Sequence, residues 1–186
     1  MAESNPWRTL SSRIAYRNEW ISVREDEVIR PDGGRGIYGV IEIRPSVGVV
    51  ALNASAEIAL VRQWRYTSGR CTLEIPRGGS SDADTSMLDA ARRELREECG
   101  YAASSWTELG SVDVCNGVTT DVQHLFVATG LTWVGTHQEA VEQIATEWRP
   151  FGDAVRMALT GEITEVCSVA AILRYSGLFP HSGANC

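Results

Sequence analysis

No stretch of this chain approaches the roughly 18 consecutive apolar residues that a membrane-spanning helix requires, and the first six residues lack the charged-then-apolar layout of a secretion signal. The expectation is a cytoplasmic protein with no membrane partner. Cysteine is sparse: Cys71, Cys99, Cys115, Cys167 and Cys186 are an odd number, irregularly spaced, with no Cys-x-x-Cys pair. That pattern argues against a disulfide framework or a zinc site, and the five are read as reduced thiols, mostly filling the core. Positive charge is in deficit. Seventeen basic against twenty-four acidic residues leave a formal charge of -7, so no general attraction draws this surface to a nucleic-acid backbone.

What remains is an ordinary globular composition, 44% hydrophobic and 22% charged over 186 residues. A chain of that length buries roughly 70% of the surface its unfolded form exposes, enough for one core without staples. The first third reads as an antiparallel sheet. Trp20-Ile29, Gly36-Ile43, Val47-Asn53 and Glu57-Arg65 are rich in β-branched residues, and Pro31-Asp32-Gly33-Gly34 is a turn. Between Thr85 and Glu98 the period changes: Met87, Leu88, Ala91 and Leu95 recur at three or four residues, as one buried helix stripe requires, and Gly100 ends the helix as a left-handed cap. Strands resume at 107–114 and 122–128, and helical patterns follow at 152–159 and 165–178. The order implies α+β layers around one core.

The chemistry concentrates in Arg92-Arg93-Glu94-Leu95-Arg96-Glu97-Glu98-Cys99-Gly100-Tyr101. On a helix Glu94, Glu97 and Glu98 project from one side, where like charges repel unless cations neutralise them. Oxygen ligands without clustered histidine suit a hard cation, Mg²⁺ or Mn²⁺. The plainer alternative is a solvated face on which Arg92, Arg93 and Arg96 pair with the glutamates. Leu73-Glu74-Ile75-Pro76-Arg77-Gly78-Gly79 precedes the helix, a short strand breaking into a glycine loop that lets main-chain groups approach an ion or a phosphate.

Residues Gly79 to Tyr101 resemble the Nudix box, G-x5-E-x7-R-E-U-x-E-E-x-G-U with U apolar. Gly79, Arg93, Glu94, Leu95, Glu97, Glu98, Gly100 and Tyr101 fall in register. One position departs: Thr85 stands where the box has its first glutamate, unless Asp84 takes that place through a one-residue shift, in which case Gly78 rather than Gly79 is the structural glycine. Leu60-Val61-Arg62-Gln63-Trp64-Arg65-Tyr66, Leu73-Glu74-Ile75-Pro76 and Gly161-Glu162-Ile163-Thr164 are similar to the branch that splits ADP-ribose and other nucleoside diphosphate sugars, so the resemblance runs from about Trp7 to Tyr175.

The resemblance implies a Nudix fold, mixed β-sheets between α-helices, with residues 1–45 forming an N-terminal antiparallel strand region that builds a homodimer and residues 46–186 forming the hydrolase domain. It implies Mg²⁺, with Mn²⁺ possible, held by Glu94, Glu97, Glu98 and the carbonyl of Arg77, and Arg93 orienting the glutamates. Arg65 would contact the diphosphate. Glu74 would accept from the sugar or base, or pair with a neighbouring cation. Trp7 would stack on the nucleobase across the dimer, or simply pack. Glu142, the displaced Glu139, or Glu97 would serve as catalytic base, with the loop residue His137 a weaker candidate. The expected reaction is hydrolysis of a nucleoside diphosphate sugar to a nucleoside monophosphate and a sugar phosphate. A nucleotide-sugar sensor with little turnover and a hydrolase of nucleoside triphosphates or capped RNA are the rival readings.

Overall fold

The structure, a computed structural model, describes residues 4–136 and 144–179. The chain divides into two compact units. The first comprises the residues up to Pro45 together with Asp113–Val122, so a short segment from the middle of the sequence belongs with the N-terminal strands. Its core is a three-stranded antiparallel sheet of β1 (Arg8–Arg17), β2 (Ile21–Ile29) and β3 (Arg35–Ile43) in that order. The turn at Pro31-Asp32-Gly33-Gly34 joins β2 to β3, with Gly33 in the left-handed region at φ 82°. The middle segment is tied in by main-chain bonds, Ile41 N–H to the Val118 carbonyl at 2.8 Å and Thr120 N–H to the Ile41 carbonyl at 3.0 Å. Within the N-terminal strand region, Arg8–Arg17 was not singled out as a strand from the sequence. Every one of its residues is exposed, so no burial-driven alternation marks it.

The second unit holds the remaining strands and the three helices found among the described residues. Strand β4 (Ser46–Ala51) lies in a four-stranded mixed sheet of order β7-β4-β9-β8, with β7 (Arg77–Gly79), β9 (Val122–Trp133) and β8 (Tyr101–Asp113). It pairs antiparallel with β7 and parallel with β9. Strands β5 (Glu57–Arg65), β6 (Arg70–Glu74) and β10 (Ala145–Pro150) form a separate antiparallel sheet of order β10-β5-β6. The expectation of one antiparallel sheet through the first third is therefore corrected: its strands are shared among three sheets. The reason lies in β4, whose run Val47-Gly48-Val49-Val50-Ala51 is buried at every position. A strand covered on both faces carries a near-continuous apolar run, and such strands favour parallel pairing inside a layered fold.

Period two sorts that run onto two cores. Val47, Val49 and Ala51 pack with Ala90, Ala91, Leu95 and Cys99 of α1 (Met87–Cys99), whereas Val50 packs with Phe151 and Ala154 of α2 (Phe151–Thr160) and with Ala171 and Ile172 of α3 (Val166–Leu178). Helix α1 starts where the Ser86 side chain accepts from the Asp89 N–H at 3.1 Å, and stops at Gly100, whose φ of 76° allows its N–H to reach the Arg96 and Leu95 carbonyls. Leu95 is fully buried beneath it, worth about 1.5–3 kcal/mol relative to exposure. No helix among the described residues is long and apolar enough to cross a membrane.

Two cysteines, Cys99 and Cys167, fill the core, but Cys71 and Cys115 are exposed and Cys186 lies outside the described residues. The reading of the thiols as mostly core is corrected to that extent. Cys115 sits in a turn at φ 56° and Cys71 near the start of β6, neither of which faces a core. Burial and the neighbouring Glu98 charge push the Cys99 thiol up to about 12, so it stays protonated and unreactive.

Candidate active site

The loop from Ile75 to Gly79 is fastened at each step. Ile75 N–H donates to Ser168 Oγ at 3.0 Å, the Pro76 carbonyl accepts from Val49 N–H at 2.9 Å, and Arg77 N–H donates to Glu98 Oε2 at 2.9 Å. Gly78 then passes directly against helix α1: a Cβ there would stand closer than 3.0 Å to Cδ and both carboxylate oxygens of Glu94. Glycine is what lets the strand and the acid occupy adjacent space. Gly79 has nothing within 4 Å of a Cβ position, and its carbonyl accepts from Arg93 Nη2 at 2.7 Å. Of the two glycines, Gly78 is the one the packing requires.

Glu94 and Glu98 are buried on the side of α1 facing this loop, and Glu97 is half-buried. Arg93 organises them. Its Nη1 donates to Glu94 Oε1 at 2.7 Å and Glu97 Oε2 at 2.9 Å, while Nε and Nη2 grip the two oxygens of Asp84 at 3.2 and 3.1 Å. Burial alone would lower the affinity of Arg93 for its proton, but Asp84, Glu94 and Glu97 outweigh it and raise it. Arg93 in turn holds the Asp84 carboxyl below its ordinary range. Asp84 is thus held by the same guanidinium that bridges Glu94 and Glu97. Thr85 is turned away, bonding Asp89 in the first turn of the helix.

A second network lies on the other flank of the loop. Glu74, 1% exposed, accepts from Arg65 Nε at 2.9 Å and Nη2 at 2.6 Å and from the Thr72 hydroxyl at 2.6 Å. Burial opposes its charge, yet the hydrogen bonds from Arg65 and Thr72 overcome that and hold its carboxyl below the usual range. Arg77 Nη1 lies 3.5 Å from Glu74 Oε2 and 3.8 Å from Glu165 Oε1. Glu165 caps α3 by accepting from the N–H groups of Cys167 and Ser168 at 3.0 and 2.7 Å and from the Ser168 hydroxyl at 2.7 Å.

The structure thus brings Glu94, Glu97, Glu98, Arg93, Gly78 and Arg77 together, and sets Arg65 and Glu74 against each other beside them. Trp7 is in the first unit, edge-on to Tyr38 at a centroid distance of 5.3 Å. His137, Glu139 and Glu142 lie outside the described residues. A hollow of about 610 Å³ opens beside Glu97, lined by Arg92, Arg93, Arg96 and Trp106. Sequence reasoning missed Ser168 and Glu165. The available signal was an acid immediately before the apolar start of the last helix, which marks an N-terminal cap even though glutamate is not the commonest residue there.

Among the described residues no three acid, thiol or imidazole groups already converge as a cation cage, and the Arg93 guanidinium bridges Glu94 and Glu97. The donors nonetheless fit a hard divalent cation. They are carboxylate oxygens, two of them buried, and the missing Cβ of Gly78 leaves the Glu94 carboxylate its place.

Comparison with known proteins agrees with this geometry. A family described as "NUDIX domain" matches residues 42–167, and one described as "Nucleoside diphosphate sugar hydrolase N-terminal domain" matches residues 7–41. The chain is 34% identical over 177 residues to a Mycobacterium tuberculosis protein named ADP-ribose pyrophosphatase, covering 93% of this chain and 84% of that one. It is 24% identical over 167 residues to a Bacillus subtilis protein of the same name, covering 89% and 90%. A crystal structure titled ADP compounds hydrolase superimposes with a TM-score of 0.86 at 18% identity, covering 98% of this chain and 99% of that one, which shows the same fold. The glycine loop, the arginine-bridged acids and a family match over most of the sequence together place this chain in the Nudix family, as a divalent-metal-dependent hydrolase of pyrophosphate bonds.

Proposed function

We propose that the chain hydrolyses the diphosphate linkage of ADP-ribose and related nucleoside diphosphate sugars, with Mg²⁺ as the working ion and Mn²⁺ able to replace it. The seating of Glu94 under Gly78, beside Glu98 held by the Arg77 N–H, carries the reading. Glu94, Glu97, Glu98 and the Arg77 carbonyl would hold the ion, which when bound offsets the diphosphate charge and makes water a better nucleophile. Arg65 keeps Nη1 for a phosphate oxygen while Nε and Nη2 are locked on Glu74. A loop carboxylate, Glu142 or the displaced Glu139, takes the proton of the attacking water. The water oxygen bonds to phosphorus as the bridging P–O bond breaks, giving a nucleoside monophosphate and a sugar phosphate.

The first unit fits a homodimer. Its sheet exposes Leu10, Ile14, Tyr16 and Ile37, and the bend between β1 and β2 exposes Trp20, a set of large apolar side chains of the kind that a partner surface covers. Within such a dimer Trp7 would stack on the base. The test is a panel of nucleoside diphosphate sugars with Mg²⁺, read as phosphate released by an added phosphatase, alongside light scattering for the dimer mass. ADP-ribose turnover to AMP and ribose phosphate is expected. Binding without turnover would mean a sensor, and preferential use of nucleoside triphosphates would mean a different substrate class.

A further inference from the structure

The Arg77 guanidinium is less well bonded than that of Arg65. The main-chain N–H of Arg77 is committed to Glu98, but among the described residues its guanidinium meets protein only through Nη1, 3.5 Å from Glu74 and 3.8 Å from Glu165. Its Nε is buried with no hydrogen-bond partner. Bonds between a guanidinium and a carboxylate ordinarily close to about 2.7–2.9 Å, so these are weak contacts for a side chain with five N–H donors. Arg65 shows the contrast, with two short bonds to the same Glu74.

Neither acid can turn to Arg77 without loss. Glu74 already serves Arg65 and Thr72, and Glu165 serves the first turn of α3 and the Ser168 hydroxyl. The chain therefore holds a positive, underbonded planar fork on the very residue whose backbone fixes Glu98. Such a fork matches an anion offering two adjacent oxygens at once, which a phosphate of a diphosphate does and a neutral sugar does not.

We infer that the Arg77 guanidinium is a substrate-contacting group, taking phosphate oxygens of the diphosphate as a second arginine beside Arg65. This rests on the substrate reading above. In the free protein Glu74 and Glu165 hold the side chain loosely, and the substrate supplies the short bonds that it lacks. Removing it would leave the negative charge of Glu165 with one fewer cation where the diphosphate arrives.

The test is calorimetric binding of the non-hydrolysable α,β-methylene analogue of ADP-ribose in Mg²⁺ to the full chain and to Arg77→Ala and Arg77→Lys, with Mn²⁺ binding measured separately. The alanine variant should bind the analogue at least about tenfold more weakly, the loss of charge-assisted bonds. Arg77→Lys should recover only part of this, because it restores charge without the fork. Mn²⁺ affinity should hold, since the backbone N–H to Glu98 survives both substitutions. Should the alanine variant not fold, a loss of at least about threefold in the lysine variant makes the same point. Analogue binding within about twofold of the unmodified protein, or a parallel loss of Mn²⁺ affinity, overturns the inference alone. An unmodified chain that binds no analogue overturns the substrate reading and this inference together.

Discussion

Gly78 and Glu94 share a space that only one of them can fill. A Cβ on Gly78 would overlap the Glu94 carboxylate at under 3.0 Å, whereas Gly79, next along the chain, has nothing within 4 Å. Forcing a methyl group into so tight a place costs roughly 1–3 kcal/mol unless the neighbour moves, and the neighbour is a proposed metal ligand. Gly78→Ala should lower turnover at least about tenfold and weaken Mn²⁺ binding, while Gly79→Ala should stay within about twofold. Steady-state kinetics on the pair decides it, and equal effects would show that the close approach is not what the site requires.

Asp84 and Thr85 make a second matched pair. Asp84 grips Arg93 with both oxygens, and Thr85 bonds only Asp89 at the helix start. Asp84→Asn should loosen Arg93, lowering both melting temperature and turnover, since a partly buried charge-assisted pair loses its charge. Thr85→Ala should cost no more than about 1 kcal/mol, as for one hydrogen bond near a surface. Thermal melts of both variants check this, with the larger drop expected for Asp84→Asn.

The helix and its acids were legible because period 3.6, a terminal glycine and the carboxylate spacing all lie within fifteen or so residues of sequence. The split of the first third among three sheets was not, because strand partners are set by contacts between distant residues: nothing local to Val47–Ala51 says that Gln123–Ala128 lies beside it. Strand β1 was not singled out because its residues are exposed throughout, so no buried face marks it. The register of the glycine loop was open in the sequence between Gly78 and Gly79, and only the approach of Glu94 distinguishes them. The partners of Glu74 were equally hidden. A cation from β5 and a hydroxyl two residues away meet it only because β5 and β6 pair antiparallel.

Glu98 combines burial with a fixed orientation, its Oε2 accepting from the Arg77 N–H. Glu98→Gln keeps the shape and that hydrogen bond but removes the charge offered to a divalent ion. Turnover should fall at least about 100-fold, and the Mg²⁺ concentration for half-maximal rate should rise. A near-normal rate in this variant would remove Glu98 from the ligand set. Titrating Mg²⁺ against initial rate separates weakened metal binding, which more ion corrects, from a defect that it does not.

Glu74 and Arg65 predict how stability depends on pH. Because the folded protein holds the Glu74 carboxyl below its ordinary range, the folded state binds that proton more weakly than the unfolded chain does. The resulting stabilisation is complete above the unfolded value, about 4.3 for a glutamate, and is lost as pH falls through the lower folded value. Asp84, lowered by Arg93, adds to the same acid-side loss. Glu74→Gln should therefore melt at a lower temperature than the unmodified protein at pH 7, because the buried Arg65 pair is broken, yet lose less on acidification. Plotted from pH 7 down to about pH 3, the two melting curves should converge, since protonation removes from the unmodified protein what the substitution has already removed. Parallel curves would mean that the ion pair contributes nothing to the acid sensitivity of this fold.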